Sequence, residues 1–180
     1  MQLIATEHPD VLVLEPKVHG DHRGFFLETF RSNVFAAAGL PEVFVQDNHS
    51  KSSAGILRGL HYQIQQPQGK LVRCISGEVF DVAVDIRRSS PHFGKWIGVN
   101  LSAENKKALW VPPGFAHGFL VLSESAEITY KCTTYYAPEH DRSLLWSDPE
   151  LNIAWPKTSQ VVLSDKDQRA PTLQHAELFA

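Results

Sequence analysis

A histidine beside an arginine and a glycine in an extended run is a candidate proton carrier. Leu57-Arg58-Gly59-Leu60-His61-Tyr62-Gln63 presents one. An imidazole titrates near neutrality, so His61 can take a proton and later return it. It needs a partner to fix its tautomer, and Asp81, Asp85, Asp165 and Asp167 all qualify by residue type. Gly59 argues against surface decoration, because a solvated run has no need of a glycine there. Upstream lies Gln46-Asp47-Asn48-His49-Ser50, which taken alone reads as a hydrogen-bonded turn; Lys70 follows downstream. Nucleophilic hydrolysis lacks its parts: there is no Gly-x-Ser-x-Gly elbow, and neither Cys74 nor Cys132 has an activating neighbour. No glycine loop of a phosphate-binding kind is present. If the ligand carries phosphate, arginines must hold it, and Arg23 and Arg58 are the natural forks.

Metal binding is the competing chemistry. Pro112-Pro113-Gly114-Phe115-Ala116-His117 has the Pro-x-Gly-x-x-His spacing found in cupin-class barrels, where that histidine is a ligand. Those barrels also carry a His-x-His pair and a nearby Glu. Here the matching stretch is His61-Tyr62-Gln63, so the second histidine is missing. Lys70 brings a cation that opposes a divalent ion. One or two imidazoles without a carboxylate make a poor site, so no metal is expected.

The elements that must position these groups are strands. Val11 to Leu14, Gly24 to Phe30, Leu71 to Ile75, Val79 to Ile86, Trp96 to Leu101, Ala108 to Val111, His117 to Leu122 and Glu127 to Thr134 are short apolar or β-branched runs. Turn markers separate them: Ser90-Pro91, Pro112-Pro113-Gly114 and Ala137-Pro138-Glu139. Ser76-Gly77-Glu78 reads as a hairpin between its two runs. One segment reads as helix, Asn33 to Ala38, with Ser32 as its cap and Gly39 as its stop. Many strands and almost no helix predict a sandwich or barrel in a single domain over residues 1–180, with the polar tail after Trp155 wrapping over the sheets.

Alternation sorts the faces. Phe80, Val82, Val84 and Ile86 share one, while Asp81 and Asp85 share the other with Val79 and Ala83. Two carboxylates on one face point at water or line a polar cavity. His117 falls with Phe119 and Val121, and Tyr130 with Ile128 and Cys132. A histidine and a tyrosine on apolar faces fit a barrel that holds a small ligand.

Composition narrows the partners. Lys+Arg 17 against Asp+Glu 20 gives a net charge of −3, so the basic excess of a nucleic-acid binder is missing. Hydrophobic residues at 43% and charged residues at 21% are ordinary for a globular chain and argue against disorder. Two cysteines without CxxC spacing read as free thiols in a reducing compartment. The N-terminus lacks a basic segment followed by an apolar one, and no apolar run is long enough to cross a bilayer. The expectation is a cytoplasmic protein with no signal peptide and no membrane partner.

Several ordered motifs together resemble the dTDP-4-dehydrorhamnose 3,5-epimerases. They are Gln46–Ser50, Leu57–Gln63, Gly77–Val82, Leu101–Lys106, Gly114–Phe119, Tyr130-Lys131 with Tyr135-Tyr136, and Leu163–Asp167. The resemblance covers nearly the whole chain. It implies an all-β, cupin-like double-stranded β-helix or jelly-roll barrel with a few short helices. It also implies a homodimer, no cofactor, no metal and a dTDP-bound 4-keto-6-deoxyglucose substrate whose product is the L-configured keto sugar on the route to dTDP-L-rhamnose.

Carried over by motif, His61 falls on the family's base, Tyr130 on its acid and Asp167 on the carboxylate paired with the base. Lys70 falls on the lysine near the keto oxygen. Arg23, Glu28, Gln46, Asp47, Asn48, Arg58, His117 and Lys166 fall on ligand-contacting positions. Tyr136 falls on the tyrosine that stacks on thymine, and Asp141 falls near a position where the family's pattern has Glu and is left unassigned. The residues alone leave other readings open. Tyr130 could be a wall aromatic, Lys70 a solvated strand end, Tyr136 a surface aromatic and His117 a satisfied core histidine. In an extended segment Asp165 and Asp167 point the same way, so alternation does not separate them.

Overall fold

The computed structural model describes residues 1–180. Its strands follow the chain as β1 (Gln2–Ala5), β2 (Leu12–Glu15), β3 (Val18–Asp21), β4 (Gly24–Leu27), β5 (Gln46–Ser53), β6 (Leu57–Gln63), β7 (Lys70–Ser76), β8 (Glu78–Asp85), β9 (Trp96–Ser102), β10 (Ala108–Val111), β11 (Phe115–Val121), β12 (Ser125–Cys132) and β13 (Asp141–Ser143). Two short helices, α1 (Ser32–Ala37) and α2 (Asp165–Gln168), interrupt them. A six-stranded sheet in the order β1-β2-β10-β7-β12-β5 faces a five-stranded sheet in the order β13-β6-β11-β8-β9. Named strands within each sheet pair antiparallel. This is a cupin-like jelly roll, as expected. No helix is long and apolar enough to cross a membrane.

Three apolar layers hold the sheets. Between them, Val72, Cys74, Leu109, Val111 and Ile128 meet Val79, Ala83, Leu101, Phe115, Phe119 and Val121. On the outer face of the five-stranded sheet, Leu60, Val82, Val84 and Ile86 are covered by Leu144, Leu151, Leu173 and Ala176. The C-terminal segment therefore wraps over that sheet, as its composition suggested. On the outer face of the six-stranded sheet, Leu14, Leu71, Ala108 and Trp110 pack on Phe35 of α1. Each fully buried Leu, Val or Phe contributes about 1.5–3 kcal/mol relative to exposure, so the covered outer faces count as much as the interior.

Three local readings need correction. Ser76-Gly77-Glu78 is not a hairpin turn: β7 and β8 belong to different sheets, and the turn carries the chain from one wall to the other. A turn signal is local, whereas which strand pairs with which is decided by packing across the barrel. Gln46–Ser50 is no turn either. It is the start of β5, an edge strand fully paired with β12 from Gln46↔Cys132 to Ser53↔Ser125. Ser32 is inside the first turn of α1, with Arg31 at the cap and no side-chain cap bond. The helix is held instead by Phe35, whose ring meets Phe30 and Phe44 edge-on. Gly39 does follow the helix with a positive φ of 71°.

One end of the interior is closed by a charged knot. Asp85, with no exposed surface, accepts from Arg87 Nε at 2.9 Å, Arg87 Nη2 at 2.7 Å and Ser90 Oγ at 2.6 Å, and His8 Nε2 lies 3.2 Å away. Burial by itself would raise this carboxyl; the bonds from Arg87 and Ser90 outweigh it and bring the pKa down to about 2. A depressed carboxyl stabilises the fold above its unfolded value and loses that contribution as pH falls through the folded value. Asp85→Asn should therefore cost about 1.5–3 kcal/mol at pH 7, because it loses the charge in the bonds from Arg87 and Ser90 while Arg87 keeps Asp10. The gap to the wild type should narrow as pH falls from about 4 toward 2, as read by denaturant unfolding. A gap that stays constant with pH would contradict this role.

Candidate active site

The polar residues of the interior gather at the other end of the barrel, and one irregularity in β6 sets their directions. His61 lies opposite His117 of β11, and Arg58 opposite Phe119, with a register shift between. Strict alternation would turn residues three apart to opposite faces; the bulge turns both Arg58 and His61 inward. Gly59 makes this possible. Its φ is +125°, and a Cβ there would stand 2.6 Å from Gly118 Cα and 2.8 Å from the His117 carbonyl oxygen.

His61 Nε2 lies 2.6 Å from Asp167 Oδ1, which leaves Nδ1 without a partner in the chain. Asp167 is itself held: its Oδ2 accepts from the Gly59 N–H at 3.3 Å, and its own N–H donates to the Ser164 hydroxyl that caps α2. Burial would raise the Asp167 carboxyl, but the bond and charge of His61 and the Gly59 N–H hold it below its ordinary value. Of the four eligible aspartates, Asp167 is the one that meets His61. Asp165 does not, because the segment is a helical turn and not extended: two residues on a helix are about 200° apart, so Asp165 points to solvent toward Arg169.

The opposite wall supplies Tyr130 and Lys70. Tyr130 on β12 is half-buried between Asn48 of β5 and Val72 of β7, and its hydroxyl has no partner in the chain. Burial pushes its phenol up. Lys70 opens β7 beside Cys132 and Val111. Burial pulls its ammonium down, while the negative fields of Asp81 and Asp141 push back. No carboxylate stands within 4 Å of it, so Lys70 is an unpaired cation at the edge of the core.

Around these four sit the remaining candidates. Arg58 Nε donates to Ser52 Oγ at 2.9 Å. His117 is satisfied on one nitrogen: Nε2 lies 3.0 and 3.1 Å from the two oxygens of Asp81. Gln46 and Asn48 alternate inward; Gln46 Oε1 accepts the Tyr136 N–H at 2.8 Å. The Tyr136 hydroxyl donates to Asp141 Oδ2 at 3.2 Å, and Lys166 forms an ion pair with the same oxygen. Asp141 thus ties Tyr136, Gln46 and Lys166 into one rim. Buried Gln63 supports that rim by accepting the Ala137 N–H and donating to the Tyr135 carbonyl.

Three candidates lie elsewhere. Asp47 alternates to the outer face of β5 and pairs with Lys131 at 3.0 Å, away from Gln46 and Asn48. Arg23 lies at the tip of the β3–β4 hairpin, bonded to Asp21 and largely exposed. Glu28 follows that hairpin and pairs with Arg31. Sequence reasoning left Asp81, Asp141 and Gln63 without roles. Alternation gave the direction of Asp81 but not its partner; Asp141 and Gln63 acquire theirs only when β13 pairs with β6.

A family model described as dTDP-4-dehydrorhamnose 3,5-epimerase matches residues 5–175. A relative from Shigella flexneri with that name is 60% identical over 181 residues, covering 99% of each chain. One from Pseudomonas aeruginosa is 58% identical and covers 95% of each. Among solved structures, a dTDP-6-deoxy-D-glucose-3,5-epimerase from Legionella pneumophila, crystallised with dTDP-4-keto-L-rhamnose, superposes with a TM-score of 0.96 at 53% identity, covering 98% of this chain and 94% of that one.

The His61–Asp167 bond gives a direct test of the site. Asp167→Asn keeps the shape but offers an amide where the ring nitrogen needs a carboxylate. Turnover should fall by about 10²–10⁴-fold, as when a histidine base loses its orienting carboxylate. Circular dichroism should stay native. Unchanged turnover would show that the bond from Asp167 to His61 has no part in the activity.

Proposed function

The chain belongs to the dTDP-4-dehydrorhamnose 3,5-epimerase family and is an epimerase of a dTDP-sugar, and from that premise we propose that it inverts carbons 3 and 5 of dTDP-4-dehydro-6-deoxy-D-glucose with His61 as base and Tyr130 as acid. The single observation that carries this reading is an oriented imidazole on one wall of the barrel and an unpartnered phenol on the other.

The chemistry follows from the ketone at carbon 4, which acidifies the hydrogens on carbons 3 and 5. His61 Nδ1 takes one proton, and the C–H electron pair moves into an enolate whose charge rests on the keto oxygen. Lys70 faces that charge as it develops; an interaction present only in the transition state is one that accelerates the step. Tyr130 delivers a proton to the same carbon from the other face, and solvent restores the phenol. A single group cannot easily serve both faces, whereas two walls can. The cycle then repeats at the second carbon after His61 releases its proton. Nothing is oxidised or reduced, so the reaction as written draws on no cofactor or metal. Arg58, His117, Gln46, Asn48, Lys166 and Tyr136 hold the sugar nucleotide, with Tyr136 against the thymine. The product, dTDP-4-dehydro-L-rhamnose, leads to dTDP-L-rhamnose. We read residues 1–180 as a single domain working in the cytoplasm.

The remaining contacts imply a homodimer. Arg23 and Glu28 do not reach the cavity of their own chain, and the hairpin leaves Phe25 and Phe26 64% and 72% exposed. A hairpin with bare aromatic rings at its surface fits the site of a second copy, so each site takes Arg23 and Glu28 from its partner.

NMR of the 4-keto sugar nucleotide in deuterated buffer tests the reaction. Wild-type protein should incorporate deuterium at carbons 3 and 5 with inversion, and His61→Asn should abolish exchange at both. Tyr130→Phe should retain some exchange but lose inversion by about 10²–10⁴-fold, the usual range for a positioned acid. Normal exchange in His61→Asn would place the base elsewhere. The dimer has its own test: Arg23→Ala and His61→Asn chains, each impaired alone, are unfolded together and refolded. In a symmetric dimer with sites built across the interface, about a quarter of wild-type activity should return. No recovery would confine Arg23 to its own chain or remove it from the site.

A further inference from the structure

Of the motifs in the sequence, Leu101–Lys106 has no part in the reaction above. It carries the chain from β9 to β10, and side chains tie its backbone down. Asn105 Oδ1 accepts the Ser102 N–H at 3.1 Å and the Lys107 N–H at 3.0 Å, while Asn105 Nδ2 donates to the Asn100 carbonyl at 2.8 Å. The Ser102 hydroxyl accepts the Asn105 N–H at 2.9 Å. Lys106 follows with a left-handed φ of 56°, uncommon outside glycine. Most lysines run out into solvent, but this one is half-buried. Its Nζ donates to the Ala103 carbonyl at 2.7 Å and stands 4.5 Å from the centroid of the Phe25 ring. A cation there is attracted by the negative face of the ring. The loop therefore fixes an ammonium, and the ammonium meets the β3–β4 hairpin.

That hairpin stands apart from both walls. β3 and β4 pair only with each other, and a lone two-stranded hairpin is marginal in water. Its direction has to come from a contact outside it. Period two turns Phe25 and Phe26 to opposite faces. Phe25 meets Lys106 of its own chain, and Phe26 stays bare on the other face. Arg23 at the tip and Glu28 just past the base move with the hairpin. Resting on the dimer reading above, we infer that Lys106 is a positioning residue. It holds the hairpin by the face of Phe25, so that Arg23 and Glu28 are presented to the site of the second copy. A hairpin released from Lys106 spends part of its time in other directions, and affinity for the sugar nucleotide falls by the fraction that remains competent. Lys106 itself never touches the substrate.

The test uses the full-length enzyme and Lys106→Met, which keeps most of the side chain and removes its charge. KM for the 4-keto sugar nucleotide should rise about 2–5-fold, the range of a lost cation–π contact near a surface. Both kcat and the dimer mass by sedimentation should stay those of the wild type. Lys106→Arg should restore KM, because a guanidinium also stacks on an aromatic face. Added to Phe25→Leu, Lys106→Met should raise KM no further. A Lys106→Met enzyme that loses stability but keeps its KM would overturn the inference. So would a shift to monomer, a Lys106→Arg enzyme with the KM of Lys106→Met, or losses that multiply in the double variant. Should Lys106→Met fail to fold, Phe25→Leu decides: this exposed side chain should bring at least the same rise, and a wild-type KM overturns the assignment. Arg23→Ala separates the inference from the dimer reading. If Arg23→Ala raises KM and Lys106→Met does not, only the positioning role falls. If Arg23→Ala leaves KM unchanged, the hairpin has no part in the site and both fall.

Discussion

The bond between His61 and Asp167 spans 106 positions of sequence and joins the middle of the chain to its C-terminal strap. It demands three things of the fold. The strap must cross the five-stranded sheet, which the apolar cover of Leu151, Leu173 and Ala176 secures. A short helical turn, capped by Ser164, must aim one carboxylate inward and its neighbour Asp165 outward. And β6 must break its alternation at Gly59 so that His61 and Arg58 face the same cavity. Bonds to charged groups are stronger than neutral ones, about 1.5–3 kcal/mol each, so the strap is held by the site as well as by its apolar cover.

The interior is divided. At one end apolar side chains from both sheets close on each other, and the Asp85 knot seals the rim. At the other end histidine and arginine side chains stand on one wall, and lysine and tyrosine side chains on the other. Buried polar groups at the closed end are bonded in full: Asp85 has Arg87 and Ser90 as donors beside His8. Those at the open end have an unused capacity, namely Nδ1 of His61, Nδ1 of His117, the Tyr130 hydroxyl and the Lys70 ammonium. Unsatisfied capacity costs stability, and a fold retains it where a ligand will complete it. That contrast separates a structural cluster from a working one more clearly than residue type, since both ends contain histidine and aspartate.

Much of this was legible before folding. Strand after strand, alternation sorted inward from outward residues, so Tyr130, His117 and Asp81 were rightly grouped with apolar neighbours of their strands. The long motifs led to the family and hence to the jelly roll. The losses have a common cause. The Ser76–Glu78 hairpin, the Gln46–Ser50 turn and the equivalence of Asp165 with Asp167 were all inferences from local propensity, and each was settled by a distant partner: the second sheet, the β12 ladder and the α2 turn. Asp141 and Gln63 lay in or near the motifs but carried no role, because their work lies in bonds to Tyr136, Lys166 and the backbone near Ala137. Asp47 differs from its neighbours in direction: period two turns its carboxylate to the outer face, where it pairs with Lys131.

The central claim is geometric: the base and the acid address one carbon from two sides. A crystal structure with a non-epimerisable 4-keto sugar analogue on dTDP measures it directly. The account predicts His61 Nδ1 about 3–3.5 Å from carbon 5 on one face of the ring and the Tyr130 hydroxyl at similar range on the other, near-attack distances for proton transfer. A sugar with both side chains on the same face, or with carbon 5 turned away from His61, would contradict it.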